Sequence, residues 1–211
     1  MNTVQAKFEQ RSELGTVSRH QGLAMRLVAA AEATVAAHGL AEVRARDLAR
    51  AAGCSVGAIY GVFPTLDALV MAVNDRTLAA LQEALDGPGT ALPPAEELAQ
   101  FAAAYLDFAA THRNRWAALF EHRLTPGQSV TPDYAARQVA MFARVAGPIA
   151  ALCPALSADA TALWARTLFS AVHGVVQLGL EGRLEIVPIA LVKEQLDALM
   201  TAIASGLAAY G

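Results

Sequence analysis

The stretch Ala45–Leu69, ARDLARAAGCSVGAIYGVFPTLDAL, reads as two short helices joined by a tight turn, with a longer helix starting after a proline. In Arg46–Ala52, Leu48, Ala49 and Ala52 fall at the three- and four-residue spacings of one buried helical stripe. Gly53 then supplies a residue that takes positive φ without strain, and Ser55 is placed to cap the next helix. That second helix, Val56–Phe63, turns Ile59 and Phe63 inward and leaves Val56, Ala58, Tyr60 and Gly61 to face a partner. Two helices so arranged are a helix-turn-helix, and a second helix of that size suits the major groove of DNA.

Working outward, residues 1–18 read as a flexible arm, and a helix from about His20 to Ala37 ends at His38-Gly39, a natural stop. After Pro64 a long helix, Asp67–Leu85, leads to a loop at Gly87-Pro88-Gly89-Thr90 and Pro93-Pro94. Helices follow over Glu96–Thr111, Asn114–Leu124 and Tyr134–Leu152, the last with a possible kink at Gly147-Pro148. Two long apolar helices close the chain, Ser157 to Gly182 and Pro188 to Ala209. The first carries Leu163, Leu168, Val172, Val175, Val176 and Leu180; the second carries Leu191, Leu196, Leu199, Met200 and Ile203. One subunit looks too small to cover them all.

Composition fits an all-α class: 211 residues, 55% hydrophobic, with Ala and Leu dominant and β-branched runs scarce. No apolar run approaches the ~18 residues of a membrane helix, and the polar start MNTVQAKFEQRSELGTVSRHQG is unlike a signal peptide. The expectation is a cytoplasmic protein with no membrane partner. Cys54 and Cys153 lie in different modules, which argues against a disulfide framework. The net charge of −3 divides unevenly: residues 1–70 sum to +1 and the remainder to −4. That modest basic bias permits a nucleic-acid partner for the first module without requiring one.

These motifs resemble the TetR family of bacterial transcriptional regulators. LVAAAEATVAAHGL, RDLARAAG, the turn Cys54-Ser55, G-x-x-Y-x-x-F-P over Gly57–Pro64 and the following Asp67-Ala68-Leu69 stand in that family's order and spacing, covering about the first third of the chain. The resemblance implies a flexible arm (1–18), a helix-turn-helix DNA-binding domain of three helices (19–66) and a helical effector-binding and dimerisation domain (67–211). It implies a repressor that leaves a palindromic double-stranded operator when a small hydrophobic or aromatic effector binds. It implies a homodimer through the last two helices, packed with their two-fold mates as a four-helix bundle. Carried over by position, Tyr60 is the recognition-helix tyrosine that reaches DNA, and Ser55, Val56, Gly57, Ala58 and Gly61 are its exposed neighbours. Arg44 stands where the family usually has a phosphate-touching threonine, and Arg46 is a further candidate for backbone grip. The effector is expected among Phe101, Tyr105, Phe108, Trp116, Phe120 and Phe142, with Tyr105 and His173 as polar anchors. His173-Gly174 also matches a subdivision with an aromatic before His-Gly, although Phe169 stands where that group has tryptophan.

The chain departs from the family at Leu66, usually lysine, and at Gly61-Val62, usually an aromatic or histidine pair. Two phosphate contacts are thereby lost, and readout leans on thymine-methyl contacts by Val56 and Ala58 and on DNA shape. These departures leave an alternative: a dimeric all-α ligand-binding protein without sequence-specific DNA binding. A hydrolase is suggested only by Gly53-Cys54-Ser55-Val56-Gly57, a G-x-S-x-G pattern, and a nucleophile elbow needs a strand before its serine, where this chain has a helix. No cofactor is expected. The five histidines show no i, i+3 or i, i+4 pairing, so no metal site is expected either.

Overall fold

A computed structural model describes residues 3–86, 92–181 and 188–210, with side chains from residue 19 onward. Among these residues the chain is helical and has no strand: α1 (Thr3–His38), α2 (Ala45–Ala52), α3 (Val56–Val62), α4 (Leu66–Asp86), α5 (Pro94–Thr111), α6 (Arg113–Glu121), α7 (Pro132–Leu152), α8 (Ala158–Glu181) and α9 (Ile189–Tyr210), with a single 3-10 turn at Leu40–Glu42. The all-α class and the order of helices agree with the sequence. The loop expected at 87–90 and the helix end at Gly182 lie outside the described residues.

One expectation changes. The segment read as an arm is helical from Thr3, continuous with the rest of α1; no proline interrupts it, and AKFEQRSEL is rich in helix formers. Helix α7 runs through Pro148 to Leu152, the end expected from the sequence. Proline removes one ladder hydrogen bond, and this one sits a single turn from the helix end.

The chain forms two compact units, one of residues 1–77 with 114–129 and one of 78–113 with 130–211. This differs from a boundary at residue 67, because the first half of α4 and nearly all of α6 fall with the helix-turn-helix. In the first unit Leu27, Ala31 and Val35 of α1, Leu48 and Ala52 of α2, Ile59 of α3, Leu69 and Val73 of α4 and Ala118 of α6 share one core. Polar ties hold α6 there. Glu32 pairs with Arg115 at 2.9 Å and Arg76 at 3.2 Å. Asn114 Nδ2 donates to the Ala36 carbonyl at 3.0 Å and Asn74 Nδ2 to that of Ala118 at 3.3 Å.

In the second unit α5 packs on α9 and α7 on α8. Its core includes Leu98, Tyr105, Ile149, Leu168, Val176, Leu196 and Met200. Helices α8 and α9 meet so closely at Gly179 that a Cβ there would lie 2.6 Å from Val192 Cγ2. The C-terminal half of α4 is tied to α7 by Gln82 Nε2 donating to the Arg137 carbonyl (2.8 Å), by Arg144 Nη1 donating to that of Leu85 (3.0 Å), and by an Arg144–Asp86 ion pair.

Candidate functional site

The turn between α2 and α3 is built as the sequence requires. Gly53 adopts φ 65°, ψ 43° and returns its N–H to α2, while Ser55 Oγ accepts from Ala58 N at 3.2 Å and caps α3. Leu48, Ala49 and Ala52 are buried on one face of α2, and Ile59 fastens α3 to the same core. Phe63 packs beside it, half-buried. Arg26 of α1 donates from Nε to the Ala52 carbonyl at 3.2 Å, so α1 satisfies the end of α2 and sets its angle. The residues that α3 turns outward are Val56, Gly57, Tyr60, at 49% exposure, and Gly61, with Ala58 half-buried beside them. Tyr60 is the largest group on that face.

Arg44 and Arg46 stand exposed at the start of α2. Arg44 rests on Glu42 at 3.2 Å, both side chains largely in solvent, a weak pairing that leaves the guanidinium able to turn to a phosphate. Leu66 is half-buried and packs against the unit's core, so the residue that replaces the family's lysine points inward. Ser55 of the G-x-S-x-G pattern serves as a helix cap, preceded by α2 and a turn instead of a strand.

Sequence reasoning missed the contacts that hold the start of α4, immediately after α3. Asp67 Oδ1 lies 3.2 Å from His122 Nε2, its Oδ2 accepts from the Thr125 hydroxyl, and Gln128 Nε2 donates to Thr65 Oγ1 at 3.3 Å. The Thr125 hydrogen bond, followed by that of His122, holds the Asp67 carboxyl below its usual range against a smaller opposing effect of burial. These partners are 55 to 63 residues apart in sequence, and no local pattern joins them.

The second unit gathers part of the expected aromatic set. Phe101 stacks with Tyr105, Tyr105 meets Phe169 edge-on at 5.5 Å, Phe142 meets Phe169 at 5.4 Å, and His173 stacks on Phe169. Tyr105 OH lies 2.9 Å from His173 Nδ1, so the two expected polar anchors are bonded to each other. Phe108, buried on the same helix, packs against His112. Trp116 and Phe120 face each other at 5.5 Å within the first unit, where the polar ties of α6 to α1 and α4 hold them. Phe169, not among the expected pocket residues, is central to the group.

The two closing helices sort their apolar residues into two faces. Leu168, Val172, Val176, Leu196 and Met200 are buried within the unit, whereas Leu163 (63% exposed), Trp164, Leu178, Ile189 and Leu191 look outward. Trp164 of α8 and Ala202, Ile203, Gly206, Leu207 and Tyr210 of α9 line an apolar groove of about 350 Å³. Among the described residues no single helix is long and apolar enough to cross a membrane, and no group of three or more His, Cys, Asp or Glu side chains is arranged to hold a metal ion.

The model of the tetracyclin repressor-like C-terminal domain matches residues 98–203, half of the chain, and that of bacterial regulatory proteins of the tetR family matches residues 27–73. The chain belongs to the TetR family. It is, as a TetR-family protein, a DNA-binding transcriptional regulator. Solved structures share the fold. A protein of unknown function from Rhodococcus sp. RHA1 is 26% identical with a TM-score of 0.69, over 88% of this chain and 95% of that one. A TetR-family transcriptional regulator from Streptomyces coelicolor is 23% identical with a TM-score of 0.66, over 90% and 84%. A TetR-like transcriptional regulator from Rhodococcus sp. RHA1 is 21% identical with a TM-score of 0.61, over 86% and 95%. No curated protein matches by sequence.

Proposed function

We propose that this TetR-family regulator is a repressor whose homodimer holds a roughly palindromic operator and releases it when a small, largely apolar effector binds in the second unit. The observation that carries the reading is α3, a capped helix anchored by Ile59 that presents Val56, Gly57, Tyr60 and Gly61 to solvent. Tyr60 and Ser55 reach the DNA backbone and groove edge, Val56 and Ala58 meet thymine methyls, and Arg44 and Arg46 hold phosphates. Two such helices related by a two-fold axis require two half-sites related by the same symmetry. The outward faces of α8 and α9, with Leu163, Trp164 and the adjoining groove, supply the apolar surface for the second copy. The effector is enclosed by Phe101, Tyr105, Phe108 and Phe142, with His173 as an anchor. No enzymatic step is assigned, and a cytoplasmic location fits a protein that works on DNA.

A mobility-shift assay with the DNA upstream of the protein's own gene tests the reading. The expected result is a shift that unrelated competitor DNA does not abolish and that a bound effector reverses. Ligand binding without any sequence-selective shift refutes it and leaves a dimeric ligand-binding protein, the reading that the missing phosphate contacts at Leu66 and Gly61 favour.

A further inference from the structure

The stretch His122–Ser129 leaves the end of α6 and lies against the start of α4. His122 Nε2 is 3.2 Å from Asp67 Oδ1, the Thr125 hydroxyl donates to Oδ2 of the same carboxylate, and Gln128 Nε2 donates to Thr65 Oγ1 at 3.3 Å. Gln128 N also closes on the Thr125 carbonyl at 3.0 Å, with Gly127 at φ 89° after Pro126, the sequence and conformation of a type II turn. The loop is thus fastened at three points to the first residues of α4.

Arg123 sits inside this clasp. Its neighbours turn inward, His122 with a side chain 8% exposed and Leu124 half-buried, while Arg123 itself is exposed. His122 and Thr125, on either side of it, both bond to Asp67, so the backbone of Arg123 is held beside that residue. Charge sets it apart. Among the described residues of the first unit, Arg19, Arg26, Arg44, Arg50, Arg76 and Arg115 each interact with another group of the protein, whereas the exposed Arg46 and Arg123 have no partner. Of the acidic neighbours, Asp67 has both oxygens taken up by the loop, and Glu121, the last residue of α6, is exposed without pairing to Arg123.

Helix α3, of seven residues, is about 10 Å long, and a major groove about 12 Å wide has a phosphate strand on each side. In the reading above, Arg44 and Arg46 hold phosphates from the start of α2. At the other end of α3, Phe63, Pro64 and Thr65 lead directly into α4, and its first residues supply no cation: Leu66 packs into the core and Asp67 is acidic. The contacts at Thr65 and Asp67 span 55 to 63 residues of sequence and bring Arg123 to that end. We propose that the loop after α6 is a second DNA-contacting segment, in which Arg123 holds a backbone phosphate flanking the groove that α3 enters. This rests on α3 as the recognition helix. A guanidinium takes phosphate by paired charge-assisted hydrogen bonds without reading sequence. Because the clasp orders the loop before DNA arrives, little freedom is lost on contact.

The test titrates the full-length protein, by fluorescence anisotropy, against a labelled DNA duplex of random sequence over a series of salt concentrations. Each phosphate contact adds about 0.9 to the slope of log affinity against log salt. Arg123→Gln should therefore make the slope shallower by about 0.9 for each subunit engaged, and weaken binding about eightfold per subunit at about 0.1 M salt. Arg123→Lys, which keeps the charge, should retain the slope. Arg113→Gln removes an exposed, unpaired arginine from the opposite end of α6 and should leave the slope unchanged. An Arg123→Gln slope within about 0.3 of the parent overturns the proposal. So does an equal effect of Arg113→Gln, which would make the change one of overall charge. Tyr60→Ala, measured in parallel on the DNA upstream of the protein's own gene, tells the two failures apart: if it alone loses binding, α3 reads DNA and the loop does not touch it, and if neither variant loses binding, the placement of α3 falls as well.

Discussion

Replacing Leu163 by aspartate separates the fold of the subunit from its assembly. Leu163 is 63% exposed on the outward face of α8, so the change leaves the subunit's own core intact. Fully burying a leucine contributes about 1.5–3 kcal/mol. Covering the exposed part contributes about 1–2 kcal/mol per copy, and a two-fold interface contains the residue twice, for about 2–4 kcal/mol. That corresponds to a 30- to 1,000-fold weaker dimer, roughly, before the desolvation of two carboxylates is added. Sedimentation over a concentration series reads the constant, and circular dichroism should show unchanged helicity. The contrast is Val176→Asp on the same helix. Val176 is 0% exposed and faces the core, so this variant should unfold the second unit instead of splitting the dimer. A Leu163→Asp dimer within threefold of the parent, or a parent that sediments as a monomer at micromolar concentration, would refute the reasoning.

Tyr60→Ala removes an exposed side chain and should weaken specific operator binding about tenfold at unchanged thermal stability; equal affinity in a mobility-shift titration would misplace the recognition helix. Gly179→Ala gains about 0.5–1 kcal/mol of helix propensity but forces a methyl against Val192, which costs about 1–3 kcal/mol, so the expected outcome is a net loss of up to about 2 kcal/mol and a Tm lower by several degrees. Asp67 is depressed in the fold from 3.8, so its stabilising effect is present above the unfolded value and disappears as pH falls through the folded one. Urea midpoints measured below about pH 4 should fall less steeply in Asp67→Asn than in the parent. His173 is lowered from 6.5, so the unfolded chain takes the proton first, and stability should decline as pH drops below that value until the folded value is passed. His173→Phe should abolish that slope in the same measurement.

The helix-turn-helix was legible because everything that defines it is local. Gly53, the Ser55 cap and the spacing of Leu48, Ala49, Ala52 and Ile59 lie within a dozen residues, and each adopts the conformation its chemistry favours. The division of the closing helices was not legible, since Leu163 and Val176 look alike in sequence and only the positions of α7 and α9 decide which is covered. The attachment of α6 was not legible for the same reason: α6 follows α5 in sequence, but Glu32, Asn74 and Ala36 fasten it to the first unit.

The return of α6 to the first unit has a bearing on how these regulators exchange parts. The chain passes between the units within α4, before Asn114 and after Ser129, so the DNA-reading module is not a contiguous piece of the gene. Cutting after Thr77 would strip Ala118 from its core and leave Glu32 without Arg115. Recombination that grafts a new DNA specificity onto an existing sensor must therefore bring along a second segment some forty residues downstream, or tolerate a module with an open flank.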